Sequence, residues 1–333
     1  MYESTGDRAL KILSNNAILI LLAVISVLVA ILRPTFVSDA NLRNIIANTS
    51  IRFIIALGAS GAIITKGVDL TAGRAVGLMG CLAATFLQKA DYSSKVYPEI
   101  GNIPIPLVLI GVILVAMMFG LFNGLIISHL KVPPLIATLG MQTVIYGICL
   151  IFTGAQPIGG LRPDYTNISS GSLFNIRFLP YLGFIAAGCA ALMWFVYNKM
   201  PQGKYMYAIG GNENAAEVSG INLKKTMIII YVMSGALYGL AGFLLGARAG
   251  GMSVNVGYGY ELEAIAGCVI GGVSTNGGVG RISGILIGVL VFEVLKIALQ
   301  FLGVNPSLTF IVQGLVIVSA VALDRRKTTI SLR

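Results

Sequence analysis

Residues 104–128 read PIPLVLIGVILVAMMFGLFNGLIIS, and this stretch decides the fold class of the chain. It contains no charged side chain, and apolar residues fill almost every position. A helix needs about 20 mainly apolar residues to cross the hydrocarbon core of a bilayer. A run of this length and composition therefore predicts a transmembrane helix.

The same pattern recurs along the chain. The other apolar runs are 15–33, 51–66, 73–90, 134–154, 179–197, 226–247, 261–275, 282–302 and 308–323. The first run is expected to be a retained span, because no small-residue cleavage site follows it. Together the runs predict an all-α polytopic membrane protein of about ten transmembrane helices, forming one domain over 1–333.

Composition and charge agree with lipid as the solvent. The 333 residues are 56% hydrophobic and 11% charged, whereas a soluble domain carries about a quarter charged residues. The net charge of +10 comes from scattered basic residues that form no nucleic-acid-binding face. An even number of spans puts both termini on one side, and the basic clusters at 199–225 and 324–333 favour the cytoplasm for that side. The predicted orientation is N-in/C-in.

Residues that could support catalysis or metal binding are sparse. The four cysteines, Cys81, Cys149, Cys189 and Cys268, each lie in an apolar run and are interpreted as small buried hydrophobic residues. His129 is the single histidine, so no histidine metal cluster can form. No nucleophile–base spacing is present either. We therefore expect no catalytic residues, no metal and no cofactor.

Two glycine-rich stretches interrupt the apolar pattern. Residues 67–73 read GVDLTAG, and residues 271–280 read GGVSTNGGVG. Broken helices of this kind expose backbone polar groups to the pathway in many transporters, although simple glycine-rich turns would give the same pattern. Asp69 is the most conspicuous acid in an apolar neighbourhood. It is either a functional residue or, as we favour, a cap for the following helix.

The most informative polar segment is 198–225, which contains KYMYAIGGNENAAEVSG. Asn212 is a suitable N-cap residue, and Gly220 fits a helix stop. Between them, Ala215 and Ala216 favour a helix with a small-residue face. Another protein can approach such a face closely.

This segment resembles the coupling loop of permease subunits of bacterial ATP-binding-cassette importers for monosaccharides, the ribose/galactose/xylose-type family. In that family the loop forms a helix that docks into a cleft of the ATPase subunit. The resemblance assigns coupling to the ATPase to Gly203, Ala208, Gly210, Asn212, Ala215, Ala216, Ser219 and Gly220. A second family motif, Gly-x-Asp-Leu-Ser-x-Gly, is matched by Gly67, Asp69, Thr71 and Gly73, with Thr71 retaining the hydroxyl of the usual serine.

Within this family the chain looks most similar to galactose/methyl-galactoside permeases. The stretches that carry this likeness are 54–58, 95–99, 260–262, 303–306 and 320–324. The resemblance implies a multi-pass protein of the bacterial inner membrane that imports galactose or methyl-galactoside by alternating access. Ribose or xylose in the same importer class remains an alternative. A secondary transporter or channel for a small polar solute would also explain the spans, and an intramembrane enzyme is a weaker alternative.

The resemblance also implies partners. The chain has no Gly-x-x-x-x-Gly-Lys-[Ser/Thr] phosphate loop, so ATP hydrolysis requires a separate ATP-binding-cassette subunit. The family further implies a periplasmic or extracellular sugar-binding protein and a second permease chain, as a homodimer.

A sugar pathway should present amides, hydroxyls and aromatic faces. Thr138, Gln142 and Tyr146 are spaced four apart and share one helix face, and Asn123 and Asn276 offer amides. The same residues could instead hold neighbouring helices together.

Glu293 and Lys296 lie three residues apart within one predicted span. On a helix this spacing predicts that they pair with each other, or that they face a partner protomer. An ion or proton site is the alternative.

Overall fold

The computed structural model describes residues 17–172, 176 and 178–331, and this part of the chain is helical, without a β-strand. The helices are α1 Ala17–Leu32, α2 Asp39–Ile64, α3 Ala72–Phe86, α4 Ile105–His129, α5 Pro134–Thr153, α6 Pro163–Ser170, α7 Tyr181–Lys199, α8 Pro201–Gly211, α9 Glu213–Val218, α10 Leu223–Ala249, α11 Tyr260–Ile270, α12 Ile282–Phe301 and α13 Pro306–Ser331. The predicted all-α membrane fold is confirmed.

Six of these helices are long and apolar enough to cross a membrane: α2, α4, α5, α7, α10 and α12. The predicted runs at 15–33, 73–90, 261–275 and 308–323 also contain helices, namely α1, α3, α11 and α13. Helices α3 and α11 have 15 and 11 residues. At 1.5 Å per residue they are about 22 and 16 Å long, less than the roughly 30 Å of the hydrocarbon core.

Helix α2 begins twelve residues before the predicted span at 51–66. The Ser38 hydroxyl caps it by accepting the N–H of Asn41 at 3.3 Å. Its first turns are polar, so a search for apolar runs in the sequence does not detect them. Their polar groups have partners, because Asn48 accepts a hydrogen bond from Arg248 at 2.8 Å and the Asn41 amide donates to the Phe36 carbonyl at 2.7 Å.

Helices α2 and α10 form the centre of the protein. Helix α10 packs along α4, α3 and α2, while α2 also contacts α7, α11 and α12. At the crossing of α4 and α10, a Cβ on Gly120 would overlap the carbonyl oxygen of Tyr231, and one on Gly235 would overlap that of Ala116. Small residues at these positions let the two backbones touch, as is common between transmembrane helices. Helices α4 and α5 lie at the outside of the protein, and their exposed faces are mostly apolar.

Both glycine-rich stretches interrupt the helices, as predicted, although Ala72 and Gly73 of the first already belong to α3. Residues 65–71 separate α2 from α3, and residues 271–281 separate α11 from α12. In the second break, Gly277 and Gly278 have φ values of 83° and 73°, which disfavour a side chain. Each break leaves backbone groups free to bond with other parts of the protein.

Candidate functional site

Asp69 lies at the centre of a buried polar network in the first glycine break. Its side chain is 1% exposed. One carboxylate oxygen accepts hydrogen bonds from the Thr71 N–H, at 3.0 Å, and from the Thr71 hydroxyl. The other accepts from the Tyr238 hydroxyl on α10, at 3.0 Å. The carboxylate therefore fixes the break to the central helix. Asp69 is not the N-cap residue of α3: it accepts the N–H of Thr71, and Thr71 is itself the N-cap residue.

Two predicted pathway residues contact this break. The Asn123 amide on α4 donates to the Thr71 hydroxyl at 3.4 Å, and the Thr138 hydroxyl on α5 donates to the Val68 carbonyl at 3.1 Å. The amide oxygen of Asn123 is buried and has no hydrogen-bond partner. A buried acceptor without a partner is uncommon in folded proteins.

The glycines of the motif permit close packing around the break. A Cβ on Gly67 would lie 3.2 Å from the Tyr231 hydroxyl and 3.3 Å from Pro134. A Cβ on Gly73 would overlap the Glu261 carboxylate and the Gly257 carbonyl oxygen. Only glycine lets the start of α3 approach the segment before α11 this closely.

Next to the break, Arg74 lies between two aromatic rings. Its guanidinium carbon is 4.0 Å from the centre of the Tyr146 ring and 4.8 Å from that of Tyr258. The guanidinium also donates to the Val254 carbonyl at 2.9 Å. Tyr258 is 69% exposed, so the arrangement is open on one side. Gln142 lies one helical turn from Tyr146 and is half-buried, which places an amide on the same face of α5.

The predicted coupling segment consists of two helices, α8 and α9. The Asn212 side chain accepts the N–H of Ala215 at 3.0 Å and caps α9, and Gly220 follows its end with a φ of 86°. The predicted cap and stop are therefore confirmed. The structure adds α8, which the sequence reasoning did not predict.

The coupling segment packs directly on both glycine breaks. The Gly278 N–H donates to the Ile64 carbonyl at 2.8 Å, and Lys66 Nζ donates to the Gly211 carbonyl at 3.3 Å. The Tyr207 hydroxyl donates to the Gly280 carbonyl at 2.8 Å. A Cβ on Gly210 would overlap the Ile64 carbonyl oxygen. Helix α8 thus contacts the chain entering the first break as well as the second break.

Tyr207 lies partly inside this packing. Burial raises the pKa of its phenol, and the nearby Arg281 guanidinium partly offsets this effect. The hydroxyl is therefore protonated at neutral pH and remains a hydrogen-bond donor.

Exposure divides the predicted coupling residues into two groups. Gly203, Gly210 and Ala216 are buried within the protein. The residues of the set that remain exposed are Ala208, Asn212, Ala215, Ser219 and Gly220. Val218, outside the predicted set, is 87% exposed and lies on the same short helix, α9. The exposed surface of α8–α9 is available to a partner, whereas the buried glycines and Ala216 hold the segment against the rest of the protein.

The predicted pairing of Glu293 with Lys296 is wrong. Glu293 pairs with Arg52 of α2, Oε2 to Nε at 3.3 Å, and Lys296 pairs with Glu263 of α11 at 3.4 Å. Arg52 also pairs with Glu263, at 2.7 Å. The two acids and two bases balance in charge and bind α2, α11 and α12 together. The three-residue spacing could not predict this, because partners on other helices outcompete a local pair.

Within the described residues, Asn276 does not bond to the first glycine break, unlike Asn123 and Thr138. Its N–H donates to the Ser274 hydroxyl at 3.2 Å, within the loop that packs on α8.

Sequence reasoning missed Arg74 and Lys66. Arg74 follows the GVDLTAG motif directly, and a cation at the start of an apolar run was the available signal.

Comparisons with known proteins agree on one family. The family model described as "Branched-chain amino acid transport system / permease component" matches residues 41–321. The galactose/methyl galactoside import permease protein of Escherichia coli is 43% identical over 323 residues, 96% of each chain. That of Haemophilus influenzae is 41% identical, covering 96% of this chain and 97% of the relative. The ribose import permease protein of Bacillus subtilis is 36% identical, covering 92% and 91%. No solved structure matches the chain significantly.

These matches extend over nearly the whole chain, including both glycine breaks and the coupling segment. They agree with a multi-pass protein of the bacterial inner membrane that is a transporter subunit and not an enzyme. The chain belongs to the branched-chain amino acid transport system / permease component family, as the membrane-spanning subunit of an ATP-binding-cassette importer.

Proposed function

We propose that this chain imports galactose or methyl-galactoside across the bacterial inner membrane by alternating access. Two relatives that it matches at 41–43% identity are galactose/methyl galactoside import permeases, whereas the ribose permease of Bacillus subtilis is 36% identical. The chain acts as a single transmembrane domain, 1–333, with its coupling loop at 198–225. It crosses the membrane about ten times in an N-in/C-in orientation. In this proposal α1 and α13 add a crossing each, and α3 and α11, which are too short to cross alone, do so together with the glycine breaks next to them.

The contact between α8 and both glycine breaks is the observation that carries this mechanism. An ATPase subunit binds the exposed surface of α8–α9 and moves it when ATP closes the nucleotide sites. Because Gly211 contacts Lys66 and Tyr207 contacts Gly280, the movement reaches residues 64–73 and 271–280 together. Because Asp69 is bonded to Tyr238, α10 moves together with the first break. This movement alternates access to the sugar.

The sugar passes the first break. The unpartnered amide oxygen of Asn123 accepts a sugar hydroxyl, and the Arg74–Tyr146 pair offers guanidinium N–H donors and an aromatic edge. Thr138 has a structural part as well, because its hydroxyl holds the Val68 carbonyl. A neutral sugar needs such directional donors and acceptors rather than a fixed net charge.

The complex contains further subunits. An ATP-binding-cassette ATPase docks on the cytoplasmic face, and a periplasmic or extracellular sugar-binding protein delivers the sugar to the opposite face. A second copy of this chain completes a homodimer.

Uptake kinetics test the proposed sugar. The initial rate of labelled galactose uptake is measured in cells with and without this chain, in a strain that lacks other galactose importers, with labelled ribose as the comparison. A selective loss of galactose uptake is the expected result. A loss of ribose uptake alone would assign a different sugar to the same importer, and unchanged uptake of both would refute the proposal.

A charge on the exposed tip of α9 tests the docking surface. Val218→Glu should prevent co-purification with the ATPase subunit and abolish uptake, because it places a charge on the proposed docking surface. The fold should be unaffected, since the Val218 side chain is almost fully exposed. Ser94→Glu, on an exposed loop before α4, is the matched control. Normal ATPase binding by the Val218 variant would exclude this surface.

Accessibility labelling tests the orientation. A membrane-impermeant maleimide should label Ser94→Cys in intact cells, and should label Asn214→Cys only after the membrane is opened. The reverse pattern would contradict the N-in/C-in orientation.

A further inference from the structure

A cavity of 480 Å³ lies between α7 and α12, beside the coupling segment. This volume is in the range of small-molecule sites. The lining residues are Phe53, Ala190, Ala191, Trp194, Asn198, Tyr207, Gly280, Arg281, Ile282, Ser283 and Leu286. The cavity takes no part in the sugar contacts described above.

One end of the cavity is apolar and the other is polar. Phe53, Ala190 and Leu286 form part of the apolar wall, and Leu286 is itself 42% exposed on the outer face of α12. The wall therefore continues into the apolar surface that faces lipid. Asn198 and Arg281 lie at the polar end.

Arg281 is an exposed cation without a carboxylate partner. Among the residues that the structure describes, no ion pair involves its guanidinium. It directly precedes α12, whose first turn has no side-chain cap. The positive charge and the free N–H groups of the first turn have the same electrostatic sign, so both favour an anionic group here.

The polar end also lies at a membrane surface. Helix α7 ends at Lys199 and α12 begins at Ile282, so the cavity opens where two long apolar helices reach their ends. Trp194 is 50% exposed, and Lys199 Nζ lies 5.8 Å from the centre of its ring. Tryptophan and basic side chains at this depth are typical of the boundary between hydrocarbon and headgroups.

We propose that this cavity binds an anionic phospholipid, with the phosphate at Arg281 and an acyl chain along the wall formed by Phe53 and Leu286. A zwitterionic lipid brings its own cation next to the phosphate, which weakens its attraction to Arg281, whereas basic pockets between transmembrane helices are suited to headgroups with a net negative charge. Continuity of the apolar wall with the lipid-facing surface gives the acyl chain its route of entry.

The bound lipid would also reach the coupling machinery. Tyr207 and Gly280 line the cavity and are hydrogen-bonded to each other at 2.8 Å. An occupant therefore stiffens the contact between α8 and the second glycine break. If the proposed coupling role of α8 holds, transport depends on the anionic lipid content of the membrane.

Trp194 makes the test direct, because it is the only tryptophan of the chain and it lines the cavity. The full-length chain is reconstituted in phosphatidylcholine vesicles that contain increasing fractions of brominated phosphatidylglycerol or brominated phosphatidylcholine. Bromine quenches a tryptophan that it approaches closely. We expect phosphatidylglycerol to bind about fivefold more tightly than phosphatidylcholine, the effect of one basic side chain near a membrane surface.

Arg281→Gln should abolish this preference, whereas Lys224→Gln, an exposed basic residue on α10, should leave it unchanged. Equal quenching by both lipids in the unmodified chain would overturn the proposal. Preference retained by the Arg281 variant would do so too. Absence of quenching by either lipid would also overturn the proposal, because it would mean that protein, such as a second copy of this chain, covers Trp194 in place of lipid. The measurement needs neither sugar nor ATPase, so its failure would leave the proposed function untouched.

Discussion

Replacing Gly210 by alanine is expected to damage the contact between the coupling segment and the two glycine breaks. The added Cβ would overlap the carbonyl oxygen of Ile64, which also accepts the N–H of Gly278 at 2.8 Å. Both neighbours are backbone atoms, so they cannot move aside by a change of rotamer. Either α8 must move outward or the second break must shift.

The size of the effect follows from three contributions. Overpacking a tight interior position destabilises by about 1–3 kcal/mol. Weakening the Gly278–Ile64 hydrogen bond removes about 1 kcal/mol. Alanine is favoured over glycine in a helix by about 1 kcal/mol, which offsets the lost hydrogen bond. The expected net loss in the free energy of unfolding is therefore about 1–3 kcal/mol.

Gly211→Ala is the matched control. Gly211 is the next residue, also lies in α8 and is exposed, and a Cβ there would meet no atom within 4 Å. The melting temperature of the purified chain and the initial rate of uptake in cells should both fall for Gly210→Ala and stay unchanged for Gly211→Ala. Gly210→Glu should fail through misfolded packing rather than through loss of docking, since Gly210 is buried. Unchanged melting and uptake for Gly210→Ala would refute the proposed contact.

Three further tests use substitutions of polar residues that make contacts within the protein. Asp69→Asn should lower the free energy of unfolding by about 1–3 kcal/mol, because both carboxylate oxygens of Asp69 accept hydrogen bonds and the amide is uncharged. Thr71→Ser keeps the hydroxyl and should leave the melting temperature unchanged. Equal melting temperatures for these two variants would contradict the network. Arg52→Met should destabilise by about 3–5 kcal/mol by leaving the buried Glu293 carboxylate unpaired, and adding Glu293→Gln should restore part of the loss. No recovery in thermal melting would argue against their pairing. Arg74→Gln should reduce uptake about tenfold and lower the free energy of unfolding by about 1–2 kcal/mol, since it removes a cation held against two rings. Normal uptake kinetics would exclude Arg74 from the sugar path.

The local features of this protein were predictable because each depends on neighbours in the sequence. Runs of apolar residues gave the helical membrane fold, since length and hydropathy are local properties. The Asn212 cap and the Gly220 stop were also predictable, because a cap bonds to an N–H three residues away and a stop needs a positive φ. Both glycine breaks followed from composition. The motif that begins at Gly67 and the coupling segment indicated the family.

Contacts between distant segments were decided only by the tertiary structure. Glu293 pairs with Arg52 rather than with Lys296, because packing places α2 closer to its carboxylate than its own helix neighbour. Gly210 looked like a docking residue, yet its backbone lies against Ile64. The polar start of α2 is helical because Asn48 meets Arg248, two hundred residues away. Sequence patterns specify which elements form and where they break. Which buried polar groups meet depends on how the helices pack, and no local spacing contains that information.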